Sequence, residues 1–407
     1  MSVLRTLKER GFISQCSDEA GLGKLLDAGE LSYYVGFDPT GRSLHVGHLV
    51  PLFAMAHLQR AGHRAICLAG GGTARIGDPS GKTETRKMLS LEEIASNAER
   101  FKKQFSRFLD FGDGRALLLD NSVWLAPLNY IDFLRDIGRH FSVNRMLSFE
   151  TYKMRLETGL SFIEFNYQLL QSYDYLVLYR EYGCRLQMGG DDQWGNIVSG
   201  MELIRRVEGA EAFALTSPLV TRSDGKKMGK TEKGALYLDP EMVSPYDFYQ
   251  YWINVPDADT GKLLLLLTFV PTDEARRLGA LKDSEARAAK ETLAFELTSI
   301  AHGKDAAEQA RSASRAAFSG GSELEGVPTR DIPRSALERG ILAVDLYVDC
   351  GLCSSKSDAR RLIEQGGATV NGRKVGSLDE LVGVADLEEG VLLLRAGKKR
   401  YHRIRAV

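Results

Sequence analysis

The 407 residues carry 43% hydrophobic and 26% charged side chains with a formal net charge of -1. That balance excludes a disordered or fibrous chain and leaves length for two or three folded cores. A near-neutral chain can meet a nucleic acid only through local basic patches. The five scattered cysteines argue against a disulfide framework. Cys350-Gly-Leu-Cys353 has no second pair or ligand-spaced histidine and reads as structural thiols. The start lacks an apolar signal core and no run reaches membrane-spanning length, so the expectation is a soluble, cytoplasmic protein with no membrane partner.

From about residue 31 to 220 short apolar runs alternate with amphipathic stretches, the rhythm of an α/β domain with a doubly wound parallel sheet. Strands are predicted at 31–37, 65–69, 116–119, 185–188 and 213–216. Helices are predicted at 44–61, 129–141 and 193–207. Ligands of such sheets bind beyond the carboxyl ends of the strands. Residues 221–318 hold a lysine-rich loop and then a helical domain, 319–334 form a Gly, Ser and Pro-bearing linker, and 335–407 form a small α+β module with a basic end.

The turn after the first long strand, Gly36-Phe-Asp38-Pro-Thr40 through His45-Val-Gly47-His48, sets two imidazoles three residues apart where a helix begins. Backbone N–H groups and the helix dipole there favour phosphate, and Gly47 leaves room for a ligand. Lone histidines at this spacing also serve as core or surface residues, and zinc lacks a third ligand. Two segments, Gly77 to Thr83 and Gly225 to Thr231, end in Gly-Lys-Thr but miss the P-loop spacing by one residue. Their cations Lys82, Arg86, Lys227 and Lys230 suit charge developing on a phosphate leaving group, or else a solvated loop. Tyr167, Gln171 and Asp174 share one helical face, which reads a ligand or faces water with equal ease on pattern alone. Gln187-Met-Gly-Gly190-Asp191-Asp192-Gln193 joins a strand to a helix, where Asp192 could reach a ribose or Asp191 or Asp192 could cap the helix.

His45-Val-Gly-His48 followed by Lys227-Met-Gly-Lys230-Thr231 resembles the paired signatures of class I aminoacyl-tRNA synthetases. Tyr34 to Thr40, Ile76-Gly-Asp78-Pro-Ser, His140-Phe-Ser-Val-Asn144, Tyr167 to Asp174 and Gln187 to Asn196 narrow the likeness to bacterial-type tyrosyl-tRNA synthetases. Residues from about 341 resemble their S4 RNA-binding domain. The resemblance implies a Rossmann-like catalytic domain over 1–220, an ATP-driven activation of tyrosine, and transfer to tRNA(Tyr) by a homodimer. Tyr34 and Asp174 would meet the phenol, and Asp78, Tyr167 and Gln171 the ammonium, with Gln187 lining the tyrosine site. Gly36, Asp38, Thr40, His45, Gly47 and His48 would hold ATP, Gly190 and Asp192 its ribose, and Gln193 the α-phosphate. Lys82, Arg86, Lys227 and Lys230 would cover the pyrophosphate. Magnesium would arrive with ATP, with no metal-binding residues in the chain. Lys356, Arg360, Arg361 and the cluster Lys398, Lys399 and Arg400 are candidate RNA contacts. Gly229 and Thr231 stand where the second signature is often serine, so only its lysines carry over. The competing readings are another nucleotidyl transferase, a tryptophan-activating relative, opposed by Tyr34 and Asp174, and an RNA-binding protein that has lost catalysis.

Overall fold

The computed structural model describes residues 2–80, 89–223, 225, 228–231, 234–319, 327–388, 390–397 and 400–407. Lys82, Arg86, Lys227, Lys398 and Lys399 lie outside them, as does the side chain of Lys230. The chain divides into two units, one formed by 1–229, 235–239 and 258–281, the other by 230–234, 240–257 and 282–407.

The first unit is built on a six-stranded sheet of β1 (Gln15–Cys16), β2 (Ser32–Phe37), β3 (Arg64–Ala69), β4 (Ala116–Asp120), β5 (Cys184–Gly190) and β6 (Phe213–Ser217). Their spatial order is β1-β6-β5-β2-β3-β4. All neighbours are parallel except β1 against β6. The long strands are runs of aromatic, branched and aliphatic residues buried on both faces, as a sheet covered by helices requires. Succession runs outward from β2 through β3 to β4, then resumes at β5 on the other side of β2. The winding therefore reverses between β2 and β5, and their carboxyl ends, at Phe37 and Gly190, open one crevice.

The helices that matter to that crevice are α1 (Val3–Arg10), α2 (Leu49–Arg60), α3 (Leu91–Phe105), α4 (Phe162–Tyr182) and α5 (Trp194–Glu208). Capping boxes start α3 at Ser90 and Glu93 and α4 at Ser161 and Glu164, and Gly183 ends α4 at φ 61°. The helix expected from residue 44 begins five residues later, after a 3₁₀ turn at Val46–His48. The backbone of 44–46 is engaged elsewhere: Val46 N–H donates to the Leu236 carbonyl at 3.0 Å and Leu238 N–H to the Leu44 carbonyl at 2.9 Å. In the same way the helix predicted over 129–141 is shorter, Tyr130–Asp136, and passes into a 3₁₀ turn at Gly138–His140.

The second unit combines helices Pro245–Ile253, Ala286–His302 and Lys304–Ser319 with a five-stranded sheet. Its strands are β7 (Thr329–Ile332), β8 (Ala368–Val370), β9 (Arg373–Lys374), β10 (Val391–Ala396) and β11 (Arg400–Ala406), in the order β9-β8-β10-β11-β7. β7 pairs parallel with β11, so this sheet begins upstream of Ser335. Tyr246 and Ala313 of the helices pack with Val327, Leu393 and Tyr401, which gives helices and sheet a shared core.

Segment 258–281 returns to the first unit, where Arg10 of α1 holds it. The Arg10 guanidinium, 4% exposed, donates to the carbonyls of Leu265 at 2.7 Å, Thr268 at 2.8 Å and Val270. Leu265 lies in the last turn of the helix Asp257–Leu267 and the other two carbonyls follow it, and a cation is the favoured partner at a helix end. Replacement by methionine keeps much of the stem and strands three carbonyls. Arg10→Met is expected to destabilise the first unit by about 2–3 kcal/mol. A urea unfolding midpoint equal to the parent's would contradict this.

Candidate active site

Beyond the ends of β2, β3 and β4 lies a buried polar arc. Asp174 on α4, 2% exposed, accepts from Trp124 Nε1 at 2.7 Å and Asn121 Nδ2 at 2.9 Å. Asn121 Nδ2 also donates to Thr73 Oγ1 at 3.0 Å. Thr73 Oγ1 donates to Asp38 Oδ1 at 2.7 Å, and Tyr167 Oη to Asp38 Oδ2 at 2.9 Å. Gly70 is needed here, since a Cβ on it would stand 2.0 Å from Asp38 Oδ1. Burial drives the Asp174 carboxyl up to about 8, against the pull of its two donors. Tyr34 on β2 is 1% exposed, and its hydroxyl has no hydrogen-bond partner among the described residues. Burial, then the charge of Asp174, holds its pKa well above the usual phenol value. Gln187, opposite Tyr34 in the β2–β5 register, is 2% exposed with an unpartnered Oε1.

A second arc crosses from the β3 side to α5. Asp78, 8% exposed, accepts from Ser80 N–H at 2.9 Å and from Gln193 Nε2 at 2.7 Å. Asn196 Nδ2 donates to Gln193 Oε1 at 3.3 Å and Gln171 Oε1 at 3.0 Å. Burial first, and then the charge of Asp78, raise the Asp192 carboxyl to about 6. Asp191 is structural, accepting from Ser14 Oγ and Thr216 Oγ1 at 2.6 Å each. The face of Tyr167, Gln171 and Asp174 therefore turns inward, the first and last buried and Gln171 half-buried.

The histidine turn is braced from within. Gly47 N–H donates to His45 Nδ1 and His45 N–H to His48 Nδ1, both at 3.0 Å. With each Nδ1 accepting, a neutral ring carries its proton on Nε2, which makes that atom the donor. A Cβ at Gly47 would come within 2.7 Å of His45 Cε1, so the glycine is demanded by the ring it neighbours. Gly36 has open space where a side chain would be, and Thr40 is exposed. A Cβ on Gly190 would sit 2.7 Å from Asp192 Oδ1. The second signature approaches the first at Gly229, whose φ of 77° is left-handed and whose Cβ would lie 2.8 Å from Val46 Cβ. A serine there would be both strained and crowded. Ser223, just before this loop, gives its N–H to both carboxylate oxygens of Asp259 at 3.1 Å.

The structure thus gathers Tyr34, Asp38, Asp174 and Tyr167 around one arc and Asp78, Gln171, Asp192 and Gln193 around another. Asp38, expected among the ATP contacts, bonds to Tyr167 and Thr73. Asn121, Trp124, Thr73 and Asn196 were not anticipated. Asn121 follows directly on an apolar strand whose carboxyl end faces the crevice, and that position was the available signal. In the second unit, Lys356 is exposed and paired with Asp345 at 2.8 Å, Arg360 and Arg361 are exposed on the helix Lys356–Glu364, and Arg400 begins β11.

This crevice and fold are those of a class I aminoacyl-tRNA synthetase. Residues 26–319 match the family of class I tRNA synthetases (W and Y), and residues 323–404 match the tyrosine–tRNA ligase SYY-like C-terminal domain. The tyrosine–tRNA ligase of Caldanaerobacter subterraneus subsp. tengcongensis is 55% identical over 404 residues, 99% of each chain. That of Treponema denticola is 56% identical over 402 residues, 98% of each. Among solved structures, a C-terminally truncated mitochondrial tyrosyl-tRNA synthetase from Aspergillus nidulans superposes with a TM-score of 0.69 at 29% identity, covering 77% of this chain and 93% of its own. A tyrosyl-tRNA synthetase from Archaeoglobus fulgidus, complexed with L-tyrosine, shares the fold at TM-score 0.57 and 19% identity, covering 76% of this chain and 99% of its own. The chain belongs to the tyrosine–tRNA ligase family.

Asp174 gives the free protein a characteristic pH dependence. Its folded pKa of about 8 lies above the unfolded 3.8, so its contribution to stability is full below about pH 4 and is lost as pH rises through about 8. Across that window the parent should lose up to about 1.4 kcal/mol per pH unit more than Asp174→Asn. Urea titrations of the two proteins at pH 5, 6 and 7 test this, and parallel slopes would refute it.

Proposed function

We propose that the chain carries out its family's reaction, the ATP-driven activation of tyrosine and its transfer to tRNA(Tyr), at the crevice between β2 and β5. The observation that carries the substrate assignment is the Tyr34 hydroxyl, buried without a partner beside the carboxyl of Asp174. A phenol hydroxyl satisfies both. A phenylalanine side chain leaves the Tyr34 hydroxyl unpaired and gives the Asp174 carboxyl nothing beyond Trp124 and Asn121, the penalty by which sites of this kind reject it. Nothing in the pair offers an indole such complementarity, which weighs against the tryptophan reading.

The ammonium is held by Asp78, Tyr167 and Gln171, with Asp38 adding negative charge through its bond to Tyr167. Gln187 lines the ring's other side. His45 and His48 present Nε2–H donors to ATP, with Thr40 and the open backbone at Gly36 and Gly47 beside them. Gly190 and Asp192 take the ribose, and Gln193 the α-phosphate. Lys82, Arg86, Lys227 and Lys230 cover the pyrophosphate. The tyrosine carboxylate attacks the α-phosphorus in line, the bond to the bridging oxygen breaks, and pyrophosphate leaves. The terminal ribose hydroxyl of the tRNA then attacks the acyl carbon and AMP departs. No enzyme nucleophile takes part, and the rate comes from positioning and from cations placed where charge develops.

Magnesium travels with the triphosphate. Among the described residues no group of three or more His, Cys, Asp or Glu side chains is placed to hold a metal. The S4-like end of the chain, with Lys356, Arg360, Arg361, Lys398, Lys399 and Arg400, supplies the local basic surface for tRNA. The setting is the cytoplasm, and no helix among the described residues is long and apolar enough to cross a membrane.

The working form is a homodimer. Exposed large apolar residues concentrate between 123 and 163, among them Val123 and Phe162, each 72% exposed, with Ile131, Val143 and Met154. A shallow groove lined by Phe141, Met146 and Phe149, with Arg145, Glu202 and Arg206 also on its walls, draws on the same stretch of chain. A face of this kind is a protein interface.

ATP/pyrophosphate exchange with a panel of amino acids tests the reaction: exchange is expected with tyrosine, and exchange with tryptophan alone or with none would sink the assignment. Phe162→Asp is expected to shift sedimentation from dimer to monomer. A variant that still sediments as the parent does would show that the face lies elsewhere.

A further inference from the structure

Three side chains of α3 reach the turn that carries the histidines. Asn97 Nδ2 donates to the Pro39 carbonyl at 3.0 Å, Arg100 faces Asp239 at 3.8 Å, and Gln104 joins both neighbours of that turn. They recur at intervals of three and four residues, so they form one polar stripe beside the buried face of Ile94, Phe101 and Phe105. Gln104 Oε1 accepts Leu44 N–H at 2.8 Å and its Nε2 donates to Ser43 Oγ at 3.0 Å. Ser43, 3% exposed, donates its hydroxyl to the Leu44 carbonyl at 2.7 Å and accepts the Asp239 N–H at 3.1 Å. From this knot residues 44–46 run against 236–238, with His45 bridged antiparallel to Tyr237. Leu236 N–H then donates to the Gly229 carbonyl at 2.7 Å. The backbone before His45 and the backbone after Lys230 are therefore tied through one serine hydroxyl, whose second donor is the Gln104 amide.

We propose that Gln104 and Ser43 are positioning residues that hold the histidine turn and the second signature in register for attack at the α-phosphate. The inference rests on the function proposed above. Neither side chain is assigned a contact with substrate. Their effect runs through the backbone that carries His45 and Lys230, and a displacement of about 1 Å in such a frame is worth about 100-fold in rate. Tyrosine is bound by other residues, so its affinity is independent of the knot.

The test is single-turnover adenylate formation by the full-length Gln104→Met variant, which keeps the side-chain length and deletes both hydrogen bonds, with Ser43→Ala as a second variant. The expected result is a rate at saturating ATP about 10- to 100-fold below the parent, with the tyrosine dissociation constant, read by fluorescence titration, unchanged within about twofold. On a Lys230→Ala background the same substitution should cost less, because one of the two residues it serves is gone. A parent-like rate at saturating ATP would overturn the proposal, as would a loss that multiplies in full on the Lys230→Ala background or weakened tyrosine binding. The parent distinguishes the two levels of inference: if it forms no adenylate, the proposed function fails, and if it does while Gln104→Met matches it, only the positioning role fails.

Discussion

A carboxyl group with almost no access to water is the constraint around which the first unit is arranged. Asp174 is stable in its place because Trp124 and Asn121 both point donors at it, and Asn121 is in turn pinned through Thr73 to Asp38 and Tyr167. Each of these groups would cost about 1–3 kcal/mol if left unpaired in the interior, so the arc stands or falls together. It also joins the ends of β2, β3 and β4 to α4, which makes the carboxyl at Asp174 inseparable from the packing of the sheet.

The histidine turn at the mouth of the crevice is organised on a different principle. There peptide groups do most of the holding: His45 accepts the Gly47 N–H, His48 accepts the His45 N–H, and a short antiparallel pairing brings Gly229 against Val46. The arc at Asp174 is held by side chains buried from water, whereas the turn at His45 is held largely through peptide groups.

Much of this was legible in the sequence. Apolar runs located the five long strands of the first unit to within two residues at either end, because buried parallel strands leave an unmistakable run of aliphatic residues, whereas the strands Val391–Ala396 and Arg400–Ala406 of the second unit were not placed. The spacing of Tyr167, Gln171 and Asp174 showed a shared face, but whether it turned toward water or inward depends on Asn121, Thr73 and Asp38, which no local pattern connects. The start of α2 was misjudged for a related reason: residues 44–46 are claimed by a strand segment nearly two hundred positions later. The crowding that requires Gly229 was hidden likewise, since it comes from Val46 rather than from its neighbours in sequence.

Arg10 meets carbonyls from residues 265, 268 and 270, so the first unit is not contiguous along the chain. On a ribosome adding about 5–20 residues per second, α1 therefore waits on the order of tens of seconds for its partner to emerge. During that interval its guanidinium lacks the three carbonyls that later receive it. The nascent chain passes through a stage in which the sheet can be present but unlatched, a natural moment for chaperone engagement.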